Sequence, residues 1–188
     1  LSKLIYKIIP PKYLFLDIGL PFKSLFILSL RLKQFPFFWA FSNYKKNNIN
    51  LKDRDKIFKV EKNDEFKNFF YTISAKIFPK IFLEDFIEIK KNFETEFKNK
   101  PKYILTQNLY TPEEKIIYMA LFQENKKKLI LLQHGGLYGT HLFHTGELTE
   151  LLFADKFFTW GWKKNKKTLP FYSLYFSNKL KNFKLRKT

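Results

Sequence analysis

His134, Gly135 and Gly136 stand directly behind Gln133 and an apolar run, Leu129 to Leu132. A histidine placed there can take a proton from a hydroxyl, because its ordinary pKa is ~6.5; it can also hydrogen-bond a phosphate or cap a strand end. Adjacent glycines let the backbone turn sharply and approach a ligand closely. Tyr138 and Gly139 add a hydroxyl and a further flexible point. Glu147 and Glu150 share one face of any helix through them, and Asp155 follows. Carboxylates here can orient the histidine or a sugar hydroxyl, or serve only as helix N-terminal charge and surface solvation. His141, His144 and Glu147 recur at every third position behind His134, which raises the rival reading of a metal-dependent hydrolase. The His-Glu-x-x-His pattern is absent and Gly146 weakens a helix through this stretch, so no metal is assigned. Walker, dinucleotide and nucleophile-elbow patterns are absent too.

These residues need a sheet to hold them. Tyr103 to Thr106 predicts a short buried strand, and Leu129 to Leu132 a second. Between them Thr111-Pro112-Glu113-Glu114 reads as a capping box that opens a helix through Phe122. Strand, capped helix and strand make a βαβ unit with a parallel, buried sheet. A helix near Glu147 to Phe153 and a strand near Lys156 to Thr159 extend it. In such sheets ligands sit beyond the carboxyl ends of the strands, where Gln133 to Gly136 lie.

Upstream, residues 1–42 are apolar and aromatic, interrupted by Pro10-Pro11, Pro21 and Pro36. Ile8 and Ile9 end a strand before the prolines, and Phe22 to Lys33 predicts a short helix. The cluster Phe35 to Trp39 reads as core or a docking face; its alternative is a membrane-surface patch. Residues 43–56 read as a polar loop, and its Asp53-Arg54-Asp55 as solvated. Residues 64–78 predict a helix with Asn63 or Asp64 as cap, followed by another from about Phe82 to Lys98. The stripes Phe66, Phe69, Phe70, Ile73, Ile77 and Phe82, Phe86, Ile89, Phe93, Phe97 are assigned to the core.

The formal net charge is +18, carried by lysine apart from Arg31, Arg54 and Arg186. Such a charge suits a partner with phosphates, whether nucleic acid, anionic lipid or a nucleotide-activated substrate, and a non-catalytic basic binding module for nucleic acid or anionic membrane is the alternative function. Lysine, asparagine, isoleucine and phenylalanine are abundant together, however, which an AT-rich genome produces without selection for a partner, and no specific nucleic-acid contact is assigned. Cysteine is absent, which excludes thiol catalysis and disulfides. The apolar run Leu25 to Leu30 falls far short of the ~18 residues of a spanning helix.

Gln133-His134-Gly135-Gly136 with Tyr138-Gly139, Glu150 with Asp155, and Thr159-Trp160-Gly161-Trp162 resemble the transferases of bacterial O-antigen and other surface-polysaccharide gene clusters. Phe78-Pro79, Leu83-Glu84 and Pro101 to Ile104 are similar to that family as well, so the resemblance covers roughly residues 78–170. It implies a glycosyltransferase-like enzyme of the two-Rossmann (GT-B) kind. A broader similarity is to glycerophosphotransferases and capsule sugar transferases, in which a histidine before glycine acts as base on the acceptor hydroxyl. By that resemblance His134 is the catalytic base, supported by Glu150 and Asp155. Gln133, Gly135, Gly136, Tyr138, Gly139, Glu147, Trp160 and Gly161 line the substrate. The donor is a nucleotide-activated sugar, with no cofactor, and the acceptor a saccharide or lipid-linked saccharide. The implied location is cytoplasmic, in peripheral contact with the anionic inner membrane.

The expected fold is α/β, a parallel Rossmann-like sheet behind an aromatic-rich, mainly helical segment. Residues 1–100 form the helical part and 101–170 the core. Residues 171–188 are a basic tail leading toward a second domain. Family members are several times longer, and the chain starts at Leu1, so it reads as an N-terminal-domain fragment that is inactive by itself.

Overall fold

The computed structural model describes residues 8–36, 44–58, 64–97, 101–109 and 113–177. In chain order its elements are β1 (Tyr13–Leu16), α1 (Phe22–Arg31), α2 (Leu51–Ile57), α3 (Glu65–Ile77), α4 (Phe86–Phe97), β2 (Tyr103–Thr106), α5 (Glu113–Glu124), β3 (Lys128–Leu132), α6 (Thr145–Phe153), β4 (Lys156–Trp160), β5 (Thr168–Phe171) and α7 (Leu174–Ser177). A 3-10 turn spans Lys80–Phe82. The chain divides into two compact units, Leu1–Phe41 with Glu96–Thr188, and Ser42–Thr95.

The first unit is built on a five-stranded sheet in the order β1-β2-β3-β4-β5, parallel throughout. This is the Rossmann-like α/β arrangement that the continuous apolar runs predict. Register aligns Leu16, Thr106, Leu131, Phe157 and Thr168 across one face, and all five are buried. α5 packs on β3 and α6 on β4. Phe97 meets Tyr118 and Phe122 of α5 edge-on, with ring centroids 6.0 and 4.9 Å away. On the other face Phe15, Ile18 and Leu132 form a small core under Leu25 and Leu28 of α1 and Leu174.

Two strands of this sheet lie outside the sequence expectation. Ile8 and Ile9 are exposed and end no strand; β1 begins after the prolines, at Tyr13. As an edge strand β1 needs its outer backbone groups satisfied. Gln34 does this with its side-chain amide, accepting from Tyr13 N at 2.9 Å and donating to Tyr13 O at 2.8 Å. β5 contains Pro170, which reads as a break in sequence but is tolerated on the opposite edge.

The second unit corrects two expectations. Residues 51–57 form a helix where a loop was expected, capped by the Asn50 side chain. Arg54, the middle of the Asp-Arg-Asp triplet, is 1% exposed. It donates two hydrogen bonds to Glu84, at 2.6 and 2.7 Å, and two more to the carbonyls of Ala75 and Phe78. The Arg54 guanidinium holds the Glu84 carboxyl down to about 2. α3 starts as expected on an Asp64 cap. Its aromatic stripe is not core: Phe66, Phe69, Phe70 and Ile77 are all more than half exposed. On α4, Ile89, Phe93 and Phe97 are buried as expected, whereas Phe86 is exposed.

Thr111 and Pro112 of the expected capping box, Phe37 to Trp39 of the aromatic cluster, and 178–188 of the basic tail lie outside the described residues. Among the described residues no helix is long and apolar enough to cross a membrane.

Candidate active site

β3 ends at Leu132, and its last backbone link to β4 comes from Gln133, whose N–H donates to Phe158 O at 2.8 Å. The Gln133 side chain then joins three neighbours. Its carbonyl oxygen accepts from Trp160 N at 2.7 Å and from Trp162 Nε1 at 2.8 Å, and its amide donates to Gly135 O at 2.6 Å. At 2% exposure Gln133 is a clamp between strand ends, and its polar atoms are turned inward.

The chain leaves this clamp at His134 and folds back through Tyr138-Gly139. Tyr138 is buried, with its ring 5.4 Å from that of His134, 4.7 Å from His144 and 5.9 Å from Phe157. Gly139 has φ +74°, and a Cβ there would stand 2.7 Å from the Trp162 ring. Only glycine fits both conditions. At Gly136 a Cβ would meet nothing within 4 Å, so packing does not explain that glycine.

His134 remains partly open, its side chain 39% exposed. Its Nδ1 lies 3.7 Å from Glu150 Oε1. Glu150 comes from the middle of α6 and is 1% exposed, and neither carboxylate oxygen has a hydrogen-bond partner among the described residues. Burial pushes its carboxyl up to about 7; the nearby Tyr138 hydroxyl acts in the opposite direction and more weakly. Burial also lowers the His134 pKa. A hydrogen bond with the Gln107 backbone opposes this, and the nearby His144 and Lys115 reinforce it. Both groups are thereby biased toward their uncharged forms. A neutral imidazole facing a buried carboxyl can accept a proton.

Lys115 belongs to this neighbourhood although the sequence did not single it out. It lies in the first turn of α5, is 0% exposed, and reaches Asp17 Oδ2 at 2.8 Å. Asp17 directly follows β1 and is held at φ +47°, uncommon for a residue with a side chain. Its backbone carbonyl accepts from Gln107 N at 3.3 Å. Asp17, Gln107 and His134 each follow a parallel strand, and that shared position is the sequence signal that brings them to one edge.

The same rule separates Asp155 from them. Asp155 precedes β4 and so lies at the amino edge, where it accepts from Lys128 Nζ at 2.8 Å and from Leu129 N at 2.9 Å. The expected support of His134 by Asp155 is therefore corrected, and Glu150 alone of the two stands beside the histidine. Glu147 is buried and holds the loop, accepting from Gly139 N at 2.7 Å and Lys164 Nζ at 2.9 Å. Burial would raise its pKa, but the Lys164 ammonium and the Gly139 amide outweigh that and lower it. Trp160 is half-buried and Gly161 exposed, at φ +89°.

His144 caps α6, with Nδ1 accepting from Glu147 N at 3.0 Å, and His141 is exposed. That cap occupies His144 Nδ1, and the Glu147 carboxylate already accepts from Gly139 N and Lys164 Nζ. No group of three or more potential ligands is arranged around a metal position among the described residues.

A family model described as LIC12162 family transferase matches residues 1–187, and the chain belongs to that family. No curated protein and no solved structure matches it.

Proposed function

We propose that this member of the LIC12162 transferase family is glycosyltransferase-like, moving a sugar from a nucleotide-activated donor to a hydroxyl of a saccharide or lipid-linked acceptor in surface-polysaccharide (O-antigen) assembly. The observation that carries the reading is the His134–Glu150 pair, a half-open imidazole over a buried carboxyl at the carboxyl edge of a parallel sheet. His134 takes the proton of the acceptor hydroxyl as its oxygen bonds to the sugar carbon. The bond from that carbon to the donor phosphate breaks, and the nucleoside diphosphate leaves with the electron pair. The hydrogen bond with the Gln107 backbone orients the imidazole, and Glu150 stands 3.7 Å from its Nδ1. The Gly135-Gly136 backbone lies against the donor, while Gln133, Tyr138, Gly139 and Glu147 hold that backbone in place and Trp160-Gly161 borders it. The sheet is one Rossmann-like half of a GT-B-type architecture, acting on the cytoplasmic side of the membrane. The reading assigns no cofactor.

The test is transfer of labelled sugar from nucleotide sugars to an oligosaccharide or lipid-linked acceptor. His134→Ala is expected to lower kcat/KM by ~10²- to 10⁴-fold, the usual contribution of a general base. The partly exposed side chain can be removed without opening a core cavity. Because a base must be unprotonated and His134 is shifted below 6.5, the acid limb of kcat/KM falls below pH 6.5. Full transfer by His134→Ala, or a limb indifferent to the substitution, sinks the assignment.

A further inference from the structure

α3 carries its apolar side outward. Phe66, Phe69, Phe70, Ile73 and Ile77 recur at three- and four-residue steps, so they share one side of the helix. They are 75%, 65%, 57%, 37% and 73% exposed. Ala75, on the opposite side, is buried, and its carbonyl accepts from buried Arg54. The helix is thus anchored by its polar back. Exposed Lys67 and Lys76 stand along the two borders of the apolar side. α2 packs beside α3 and adds exposed Leu51 and Ile57 with exposed Lys52 and Lys56; Lys56 pairs with Asp53 at 2.8 Å, as Lys67 does with Asp64 at 3.7 Å.

An apolar stripe of this size in water marks an interaction surface. Charge decides between the occupants. A second copy brings another +18, and like net charges oppose association. A bilayer containing anionic lipid attracts that same charge. It accepts phenylalanine rings at the boundary between headgroups and acyl chains, and lets lysines at the border extend to the phosphates. The Phe66-Phe69-Phe70-Ile73-Ile77 side of α3 is, we propose, a docking surface for an anionic membrane, on which the helix lies flat without crossing. None of these residues belongs to the candidate active site, so the inference stands or falls separately from the role of His134.

Co-sedimentation of the full chain with vesicles tests it. Binding to vesicles of phosphatidylcholine mixed with phosphatidylglycerol is expected, with much weaker binding to phosphatidylcholine alone. Phe69→Ser with Phe70→Ser lowers the partition coefficient by about tenfold or more, since each ring forfeits much of its burial in the interface. Both rings are more than half exposed in water, so the thermal melt of that variant stays close to wild type. Lys67→Glu with Lys76→Glu weakens binding to the mixed vesicles and leaves the weak binding to phosphatidylcholine alone little changed. Absence of binding to mixed vesicles overturns the proposal, as does binding that the double serine variant leaves intact. A dimer in light scattering that the same variant abolishes, without vesicle binding, reassigns the face to a second copy.

Discussion

A buried carboxyl whose burial the Tyr138 hydroxyl offsets only in part leaves a mark on stability as well as on chemistry. Glu150 has a folded pKa of about 7 against an ordinary 4.5. Between those values the folded chain binds more protons than the unfolded chain, so this group's contribution makes stability fall as pH rises. The shift corresponds to roughly 3 kcal/mol across the window from pH 4.5 to about pH 7. His134 acts in the opposite sense. Its lowered pKa costs stability as pH falls below 6.5. Glu150→Gln removes only the first contribution, so it is expected to equal wild type near pH 4.5 and to become the more stable protein above pH 7. Urea unfolding at a series of pH values measures the difference; a constant offset would show that Glu150 is not buried as an isolated acid.

The loop behind β3 is the element on which the site depends, and its glycines differ in what they do. Gly139→Ala drives a Cβ into the Trp162 ring and imposes φ +74° on a residue with a side chain. A loss of about 2 kcal/mol or more is expected in thermal or chemical unfolding. Gly136→Ala meets nothing and should leave stability unchanged within ~0.5 kcal/mol. Loss of transfer in that stable variant would mark Gly136 as a place where substrate approaches the backbone; retention of transfer would remove it from the site. The βαβ core was legible because β2 and β3 are unbroken apolar runs and Gly135-Gly136 punctuates the second. β5 was hidden by Pro170, and α2 by a polar composition whose helix depends on Arg54 reaching Glu84, 30 residues away. Lys115 was illegible for a related reason. A lysine in the first turn of a helix reads as solvated until the fold places Asp17 beside it, 98 residues away in sequence.

For the molecule as a whole, a charge of +18 attracts any polyanion, whatever the protein's task. Association with a single-stranded oligonucleotide is expected at low salt and should weaken on the order of 10³-fold by physiological salt, as counterion release dictates. Fluorescence anisotropy with a labelled oligonucleotide measures this. Binding that survived physiological salt would favour the alternative function, a dedicated nucleic-acid module. The aromatic side of α3, which spacing assigns to the core, faces outward. Helical spacing identifies which residues share a side, but not whether that side faces a core, and here Arg54 anchors the opposite one.

Trp162 donates its indole N–H to Gln133, the residue before His134, while its ring covers Gly139. Indole emission responds to the polarity and hydrogen bonding of its surroundings. The fold therefore places a native fluorophore against both ends of the loop that carries the candidate base. Nucleotides and sugars can be screened for occupancy of this loop by emission alone, before any product has been identified.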